Sequence, residues 1–529
     1  MTDYDVVIAG YGPTGAVAAN LLGAADIRTL VVEPNPTIFD IPRAVHFDGE
    51  VMRIFQSLGL HHKISKIAAP AASIGFTNGR GWDLFRQDLS AIPRIHAWDN
   101  SNFFNQPALE KHLREGVTRY HCVECSLKES VSNFTLTKNG IEIEITSITD
   151  HSTTRRTVNT QYLLGCDGAN SRVRKLMGIS QEDLDCDEPW LVVDWLLPDD
   201  VEFKRNALQI CNPQRPATLV PCQGNHIRWE FMVNEGDDID SLENEANIRQ
   251  LMAPHLHRLS PNLTPDMGRL VRSKVYNFHA LIADTFQQDR VFILGDAAHQ
   301  MPPFLGQGMC AGIRDAHNLC WKLAQVLKGS LPTKILTSYT SERHPHVFEI
   351  IKTAVGHGSV IQNRNPITSF IRDCYLKLGK QLPFLVGFLR FDLSWRLGPG
   401  LFSVQSVSKA DQDSQIGQPL PQSTLQVTPQ GQSRTSVLSD ELLGPEFTLV
   451  SFNVDSNSLK EIRTSAFELT HLAIGPLANS TDINGVFEQW FRQHDARIAL
   501  VRPDRHVYGL CNTQEQASGL IRNLEARLK

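Results

Sequence analysis

A glycine-rich turn near the start of the chain has the residue types and spacing to bind a phosphate group. It follows a predicted strand and opens a predicted helix, and it consists of Gly10, Gly12, Pro13, Thr14 and Gly15. In the pattern Gly-x-Gly-x-x-Gly, the first glycine permits a tight turn and the second lets a pyrophosphate approach the backbone. The third lets the helix and strand pack closely. Glu33 lies about 20 residues further on, where an acid hydrogen-bonds an adenosine ribose. We therefore expect a dinucleotide site, and the pattern alone does not distinguish FAD from NAD.

A second candidate site lies in residues 290–309, RVFILGDAAHQMPPFLGQGM. Asp296 stands at the carboxyl end of a predicted buried strand, and a loop rich in glycine and proline then opens a helix. A helix N-terminus carries roughly half a positive charge and attracts anionic groups. The loop residues expected to approach a ligand are Pro303, Gly306, Gly308 and Met309.

A histidine and an aspartate in residues 43–50, RAVHFDGE, are candidates for a general base. His46 suits that role because its unperturbed pKa lies near 6.5. Asp48 is the other candidate, and its alternative role is the N-cap of a predicted helix over Glu50–Leu58. A third cluster, His121–Cys125, suggests a metal site, but zinc needs four ligands and no second Cys-x-x-Cys pair exists. We therefore expect no metal.

The predicted elements place the chemical motifs in an α/β fold. Val6–Ala9 and Thr29–Glu33 are predicted strands on either side of a helix, which makes a right-handed βαβ unit. Strand-like alternation dominates residues 120–150 and 185–280, and a helix is predicted from about 311 to 327. Residues 330–400 are expected to be largely helical. A connecting segment is expected at 405–440, before a small separate α/β unit.

Composition limits the class of protein. The chain has 529 residues, of which 41 % are hydrophobic and 20 % are charged, a balance typical of globular domains. A net charge of −6 disfavours a nucleic-acid binder, which would need a basic surface. Ten scattered cysteines favour a reducing, cytoplasmic location over a disulfide scaffold. The longest apolar stretch, Leu382–Leu389, is too short to span a membrane and is expected to form a core helix or an interface.

Six motifs together resemble the class A flavoprotein aromatic hydroxylases. They are the glycine turn, residues 290–309, Cys166–Arg174, Pro42–Ala44, Asn105–Glu110 and Tyr339–Arg343. The resemblance implies that Asp296 binds the ribityl chain of FAD. It also implies that Asp167 contacts FAD and the path of the nicotinamide, and that Arg43 and Gln106 lie along the flavin. Cys310 departs from the family, which usually has asparagine there.

The sequence resembles in particular the 3-(3-hydroxyphenyl)propionate hydroxylases of the phenol-hydroxylase-like branch. This implies a Rossmann-like FAD-binding and helical region over 1–75, 100–185 and 280–400. It further implies a mixed β-sheet substrate domain over 76–99 and 186–279, and a C-terminal thioredoxin-like domain over 415–529. Cys511 is the one cysteine of that last domain, so dithiol redox chemistry is excluded there.

The activity implied by the resemblance is a monooxygenase reaction on a phenolic or related hydroxyaromatic compound, in aromatic catabolism. FAD, reduced by NADH or NADPH, would react with O2 to a C4a-hydroperoxide that transfers oxygen to the ring. Asp48 matches an acid that serves as base in phenol-hydroxylase-like enzymes. Two alternatives stay open, a flavin dehydrogenase or reductase of the same fold and a non-catalytic protein that retains FAD. The expected partners are a small aromatic substrate, NAD(P)H and O2, and the chain is expected to be a monomer or a homodimer.

Overall fold

The structure of the chain is a computed structural model. The residues that the structure describes are 2–40, 43–149, 152–203, 205–389, 395–403, 415–427, 434–454, 459, 461–476, 478 and 480–529. Pro42 of the predicted Pro42–Ala44 motif, and parts of the predicted connecting segment at 404–414 and 428–433, lie outside the described residues.

The first large sheet carries the predicted βαβ unit and has eight strands. In spatial order its path runs β17 (Gln287–Gln288), β18 (Val291–Ile293), β11 (Ser152–Gly165), β1 (Tyr4–Ala9), β2 (Thr29–Glu33) and β8 (Val123–Leu127), and β10 (Gly140–Thr149) and β9 (Glu129–Thr137) extend it from β11. The five strands from β18 to β8 are parallel. The carboxyl ends of β1, β11 and β18 therefore meet at one edge, where doubly wound sheets bind ligands.

The second large sheet is mixed and also has eight strands. In spatial order they are β19 (His299–Gln300), β16 (Arg269–Ala283), β12 (Gln181–Leu196), β15 (His226–Met232), β14 (Ala217–Pro221), β13 (Asn206–Cys211), β5 (Ser73–Asn78) and β6 (Asp83–Asp88). The strands from β16 to β13 are antiparallel, whereas β5 pairs in parallel with β13. The strands predicted around 190–195 and 227–233 lie at its centre.

The helices that precede the C-terminal unit connect strands within and between the two large sheets. They are α1 (Pro13–Ala24), α2 (Gly49–Ser57), α3 (His61–Ile64), α4 (Gln106–Val117), α5 (Arg172–Leu176), α6 (Ile239–Leu242), α7 (Glu245–Met252), α8 (Gly308–Leu327), α9 (Ser338–Ile361) and α10 (Pro366–Gly379). Helix α8 begins three residues before its predicted start, and α2 lies one residue earlier than predicted. A three-stranded sheet of β3 (His46–Asp48), β7 (Ser101–Phe104) and β4 (Ala68–Pro70) lies beside them.

The C-terminal unit contains two small sheets. One is β23 (Leu469–Ile474), β22 (Phe447–Phe452), β25 (Ile498–Val501) and β26 (Val507–Cys511); the other is β21 (Thr435–Leu438), β20 (Thr424–Val427) and β24 (Ser480–Asp482). The unit also contains helix α11 (Val486–Gln493), which lies between β24 and β25 in the chain, and helix α12 (Gln514–Leu528), which follows β26. The expectation of a purely connecting segment at 405–440 was wrong in part, because β20 and β21 pair there and build this unit. Its thioredoxin-like character stays a prediction.

A buried charge cluster joins the C-terminal unit to helices α8 and α9. The carboxylate of Glu342 on α9 binds Arg502, which follows β25, at 2.8 Å and Lys322 on α8 at 2.8 Å. Arg502 also pairs with Asp504 at 2.6 Å, and all four side chains have no exposed surface. Burial raises the pKa of Glu342, but the charges of Arg502 and Lys322 lower it further, so the net shift is well below the ordinary value. The cluster therefore ties the two units together only while Glu342 is ionised.

We predict that Glu342→Gln destabilises the protein by about 3–5 kcal/mol, because it leaves the buried Lys322 without its counter-charge and removes one of the two carboxylates paired with Arg502. Glu488→Gln on α11 is the matched control, since the exposed pair that Glu488 makes with Arg492 contributes only about 0.3–0.5 kcal/mol. Urea unfolding of both variants measures the difference. Because the pKa of Glu342 is depressed, this stabilisation is present above an ordinary carboxylate pKa and is lost as the pH falls through the depressed value. Equal stabilities of the two variants would contradict the assigned role.

Candidate active site

A cavity of about 500 Å³ lies where the carboxyl ends of β1, β11 and β18 face the second large sheet. Most of the residues that the sequence predicts for the site line it. They are Gly12, Pro13, Thr14, Arg43, His46, Gln106, Asp296, Pro303, Gly306, Gly308 and Met309. The rest of its wall comes mainly from one face of the second sheet. Segments that are up to about 300 residues apart in sequence thus line one cavity.

The three glycines of the first turn have different surroundings. Gly10 has a φ of +100°, and a side chain there would lie 2.4 Å from the carbonyl oxygen of Cys166. A Cβ at Gly15 would lie 2.1 Å from the carbonyl oxygen of Gly10. Gly12 differs, because a Cβ there would meet no described atom within 4 Å and the residue lines the cavity. Gly10 and Gly15 therefore close the turn, while Gly12 leaves open space that a pyrophosphate fits.

Two of the predicted acids do not line the cavity. Glu33 ends β2, and its carboxylate accepts hydrogen bonds from the backbone N–H of Tyr11 at 2.7 Å and of Asn35 at 3.0 Å. Asp167 accepts from the hydroxyl of Ser171 at 2.5 Å and from the N–H of Val173 at 3.0 Å, at the start of α5. Glu33 thus braces the glycine turn, and Asp167 orders a helix start. The neighbours Cys166, Gly168 and Ala169 reach the cavity in place of Asp167.

Gln106 acts on the backbone of the segment that carries Arg43. Its side-chain oxygen accepts from the N–H groups of Arg43 at 2.8 Å and Ala44 at 2.6 Å, and its amide donates to Glu110 at 2.7 Å. The carbonyl of Arg43 in turn accepts from the Arg228 guanidinium at 2.6 Å. The side chain of Gln106 is therefore engaged within the protein, and it fixes residues 43 and 44 against the cavity.

The loop after β18 presents a carboxylate and a helix N-terminus to the cavity. Asp296 is exposed to this space but enclosed by protein, and burial raises its pKa above the ordinary value. Gly306 has a φ of +63°, and a Cβ there would meet the ring of His46 at 2.9 Å. Helix α8 begins at Gly308 with no acid in its first turn and no cap from a described side chain. Its N-terminus is therefore available to an anionic group. Cys310 is buried, and its backbone belongs to this same first turn.

Asp48 is occupied by structural interactions. Its Oδ1 accepts from the N–H of Val51 at 3.0 Å and caps α2, as the alternative interpretation predicted. Its Oδ2 pairs with Arg314 at 2.6 Å and accepts from Gln307 at 3.1 Å. Burial raises the pKa of Asp48, but the Arg314 charge and the helix cap lower it below its usual range. Asp48 is not among the cavity-lining residues, so the geometry gives it no route to a substrate and we do not retain it as a base.

His46 lines the cavity and is connected to a second cavity residue, Ser101. Its Nδ1 lies 3.2 Å from the carbonyl oxygen of Gly306, and its Nε2 lies 2.8 Å from the Ser101 hydroxyl. Because a carbonyl only accepts, Nδ1 carries the proton and Nε2 accepts from Ser101. Burial lowers the pKa of His46 below its ordinary value, more than the nearby Asp48 raises it. The histidine is therefore neutral near pH 7 and can take a proton from the serine.

The sequence analysis did not find Ser101 or the polar residues of the second sheet that line the cavity. Among these are Gln209, Thr218 and Glu230. The alternation along β13, β14 and β15 indicates strands, but their pairing decides which side chains share the cavity face. Arg228 also lines the cavity. Its guanidinium forms a bidentate pair with Asp194, with N···O distances of 2.9 and 3.1 Å.

The described part of the chain has neither a metal-binding cluster nor a membrane-spanning helix. Within it, no group of three or more histidine, cysteine, aspartate or glutamate side chains is arranged to hold a metal ion. No helix in that part has the length and hydropathy needed to cross a bilayer.

Comparison with known proteins identifies relatives of the whole chain. Residues 3–354 match the model of the FAD binding domain family, and residues 417–527 match that of the HcaD C-terminal domain. A probable NADH-specific resorcinol 4-hydroxylase of Rhodococcus jostii is 32 % identical and covers 99 % of this chain and 94 % of its own. A 3-(3-hydroxy-phenyl)propionate/3-hydroxycinnamic acid hydroxylase of a Mycobacterium strain is 31 % identical, covering 97 % of this chain and 90 % of its own.

A solved structure shares the fold over the full length. The flavin-dependent monooxygenase PieE, in complex with FAD and substrate, superposes with a TM-score of 0.82 at 20 % identity and covers 100 % of both chains. With the family match, this confirms the predicted α/β fold with an FAD-binding domain.

We predict that Gly12→Ala lowers the affinity for FAD by at least about 10-fold, or about 1.4 kcal/mol. The added methyl group would occupy the open space at the N-terminus of α1 without a clash with any described atom. Gly356→Ala on α9 is the control, because that glycine also has open space around it but lies away from the cavity. Fluorescence titration of apoprotein with FAD measures affinity, and thermal unfolding checks stability. Unchanged FAD affinity in Gly12→Ala would show that no phosphate lies there.

Proposed function

The chain belongs to the FAD binding domain family, and on that premise we propose that it is an FAD-dependent monooxygenase that hydroxylates a phenolic ring. The observation that carries this proposal is the shared cavity. It brings the dinucleotide-type turn and the loop from Asp296 to Met309 against an enclosed sheet face that can hold a small aromatic compound. Two relatives that align along nearly the whole chain are named as hydroxylases of resorcinol and of hydroxyphenylpropionate, which supports a phenolic substrate.

The overall reaction consumes one NAD(P)H and one O2 for each ring hydroxylated. One oxygen atom enters the ring as a hydroxyl group, the other leaves as water, and the nicotinamide is oxidised with uptake of one proton. FAD, when bound, supplies the redox chemistry: it accepts hydride and activates O2. The name of the Rhodococcus relative favours NADH as the reductant.

The chain's own residues fit the parts of FAD. We assign the pyrophosphate to the N-terminus of α1 at Gly12, Pro13 and Thr14, and the adenosine ribose to Glu33 beside the same turn. Asp296 has no hydrogen-bond partner among the described residues and lines the cavity, so it can bind the hydroxyls of the ribityl chain. The N-terminus of α8, which includes Gly308 and Met309, then stabilises negative charge on the flavin ring.

Ser101 and His46 form the route by which the substrate loses its phenolic proton. The Ser101 hydroxyl accepts the proton from the substrate and passes its own to Nε2 of His46, because these two atoms are 2.8 Å apart. The bond from Nδ1 to the carbonyl of Gly306 holds the ring in the required tautomer. A phenolate is richer in electrons than a phenol, so its ring accepts an electrophilic oxygen more readily. Transfer of a proton by a positioned group contributes about 10²–10⁴-fold to rate.

The same proposal covers the division of the chain into domains, its location and its oligomeric state. We assign FAD binding to residues 1–75, 100–185 and 280–400, and substrate contacts to 76–99 and 186–279, with 415–529 as an accessory domain of thioredoxin-like type. We also propose a cytoplasmic monomer or homodimer.

We predict that the purified protein is yellow and oxidises NADH faster when a phenol is added. O2 consumption should equal the hydroxylated product formed, with only a small excess lost as H2O2. Oxygen-electrode and chromatographic assays measure both quantities. Product formed without incorporation of 18O from 18O2 would instead indicate a dehydrogenase. NADH oxidation that no phenol stimulates would indicate a protein that merely retains FAD.

We predict that Ser101→Ala lowers kcat/KM by about 10²-fold, because it interrupts proton transfer to His46. Ser369→Ala on α10 is the matched control, since Ser369 is also buried and hydrogen-bonded but lies away from the cavity. The FAD affinity should be the same in both variants.

The pH profile separates proton transfer from a loss of packing. In the wild type, kcat/KM should fall with acid through the pKa of His46, which burial places below about 6.5 with Asp48 and Arg314 as its charged neighbours. Above that pH His46 is neutral and active. In Ser101→Ala this fall of kcat/KM at acid pH should be absent. If the fall is retained, the result argues against the Ser101–His46 route.

A further inference from the structure

Three polar side chains form a row across the second large sheet, on the face that lines the cavity. Gln209 on β13 lies opposite Thr218 on β14, and Thr218 lies opposite Glu230 on β15. All three line the cavity and are at most 6 % exposed. The Thr218 hydroxyl donates to the side-chain oxygen of Gln209 at 2.7 Å. The register of three strands thus builds one hydrogen-bonding patch, which we call the polar row.

Glu230 is the member of the polar row without a partner. Its carboxylate makes no hydrogen bond or ion pair to any described residue, although the residue is only 5 % exposed. Burial raises its pKa to about 7, against the lowering effect of Arg228. Leaving a buried carboxyl group unsatisfied is costly, so such a group at a cavity wall points to a ligand that bonds it.

Two arginines and a histidine near the polar row already have acidic or hydroxyl partners. Arg228 is held by the bidentate pair with Asp194. Arg272 lies 3.7 Å from the same carboxylate and donates to the Tyr276 hydroxyl. His279, on the same wall, faces Asp187 at 3.5 Å. A substrate carboxylate placed here would meet Glu230 and would have to compete for these partners.

We propose that the polar row binds a second hydroxyl group of a neutral, polyhydroxylated aromatic ring, and that it disfavours a substrate carrying a carboxylate at this end. The inference rests on the proposed function and names its substrate class. A ring hydroxyl both donates and accepts, so it can donate to the Glu230 carboxylate and accept from the Gln209 amide. A phenol without the second hydroxyl would leave Glu230 unpaired, and sites of this kind discriminate strongly against analogues that lack the bonding group.

The test compares three compounds on the FAD-loaded protein: benzene-1,3-diol, phenol and 3-(3-hydroxyphenyl)propionate. The wild type should give the diol a kcat/KM at least about 10-fold above those of the other two. Glu230→Gln should lower kcat/KM for the diol at least about 10-fold and leave that for phenol within a factor of about 2. The same substitution should raise kcat/KM for the propionate relative to that for the diol, because the negative charge of Glu230 no longer repels the substrate carboxylate.

Glu188→Gln is the matched control. Glu188 is a partly buried acid on β12 of the same sheet, but it does not line the cavity. This variant should keep the wild-type order of the three compounds. A uniform loss for all three compounds in Glu230→Gln, or a wild type that prefers the propionate, would overturn the inference.

Binding measurements separate this inference from the proposed function. Titration calorimetry of the same compounds should show tighter binding of the diol, weakened by Glu230→Gln, whether or not turnover occurs. If the diol binds and Glu230→Gln weakens its binding, but no turnover occurs, the role of the polar row is retained and the monooxygenase function is rejected. If phenols are turned over but Glu230→Gln does not change diol binding, the proposed monooxygenase function is retained and the role of the polar row is rejected.

Discussion

The close approach of α1 to the segment that begins α8 is the constraint on which the cavity depends. Thr14 lies between two glycines of that segment: a Cβ at Gly295 would lie 2.8 Å from its hydroxyl oxygen, and one at Gly312 only 2.4 Å. Together with the contact of Gly15 and Gly10, these spacings leave no room for larger side chains. Two helix N-termini separated by almost 300 residues are thereby fixed side by side. Their positive ends face one space, which suits a long, doubly anionic dinucleotide.

Buried carboxylates among the described residues differ in whether the fold supplies a charged partner. Asp315 pairs with Arg343 and His299 at 2.7 Å each, and although burial raises its pKa, these partners lower it to about 2. Glu342 and Asp48 are held in the same manner. Asp296 and Glu230, both on the cavity wall, have raised pKa values and no bonded partner among the described residues. The contrast separates acids that stabilise the fold from acids that await a ligand.

The sequence predicted those parts of the fold and site that lie within one short segment of the chain. The strand, turn and helix around Gly10 to Gly15 lie within one short segment, and so does the loop after Asp296, so their residue types and spacing define them. Asp48 shows the limit of that reasoning, because the same residue type serves a helix cap and a base, and only Arg314 from α8 distinguishes the roles. Ser101 could not be predicted, since it meets His46 through the pairing of β3 and β7. The position of Glu230 beside Thr218 likewise depends on the register of β14 and β15, which the alternation in sequence does not reveal.

The two walls of the cavity differ in how readily they can change. The wall around the glycine turn is built largely from backbone groups and helix termini, and at Gly10 and Gly15 an added side chain would clash with the main chain. The substrate side is a sheet face, where alternate residues project into the cavity and each can be replaced without moving its strand. Substitution in the polar row would therefore alter which aromatic compound is bound while leaving the cofactor wall intact. The two walls therefore place different limits on substitution, because one is fixed by main-chain contacts and the other by separate side chains on a sheet face.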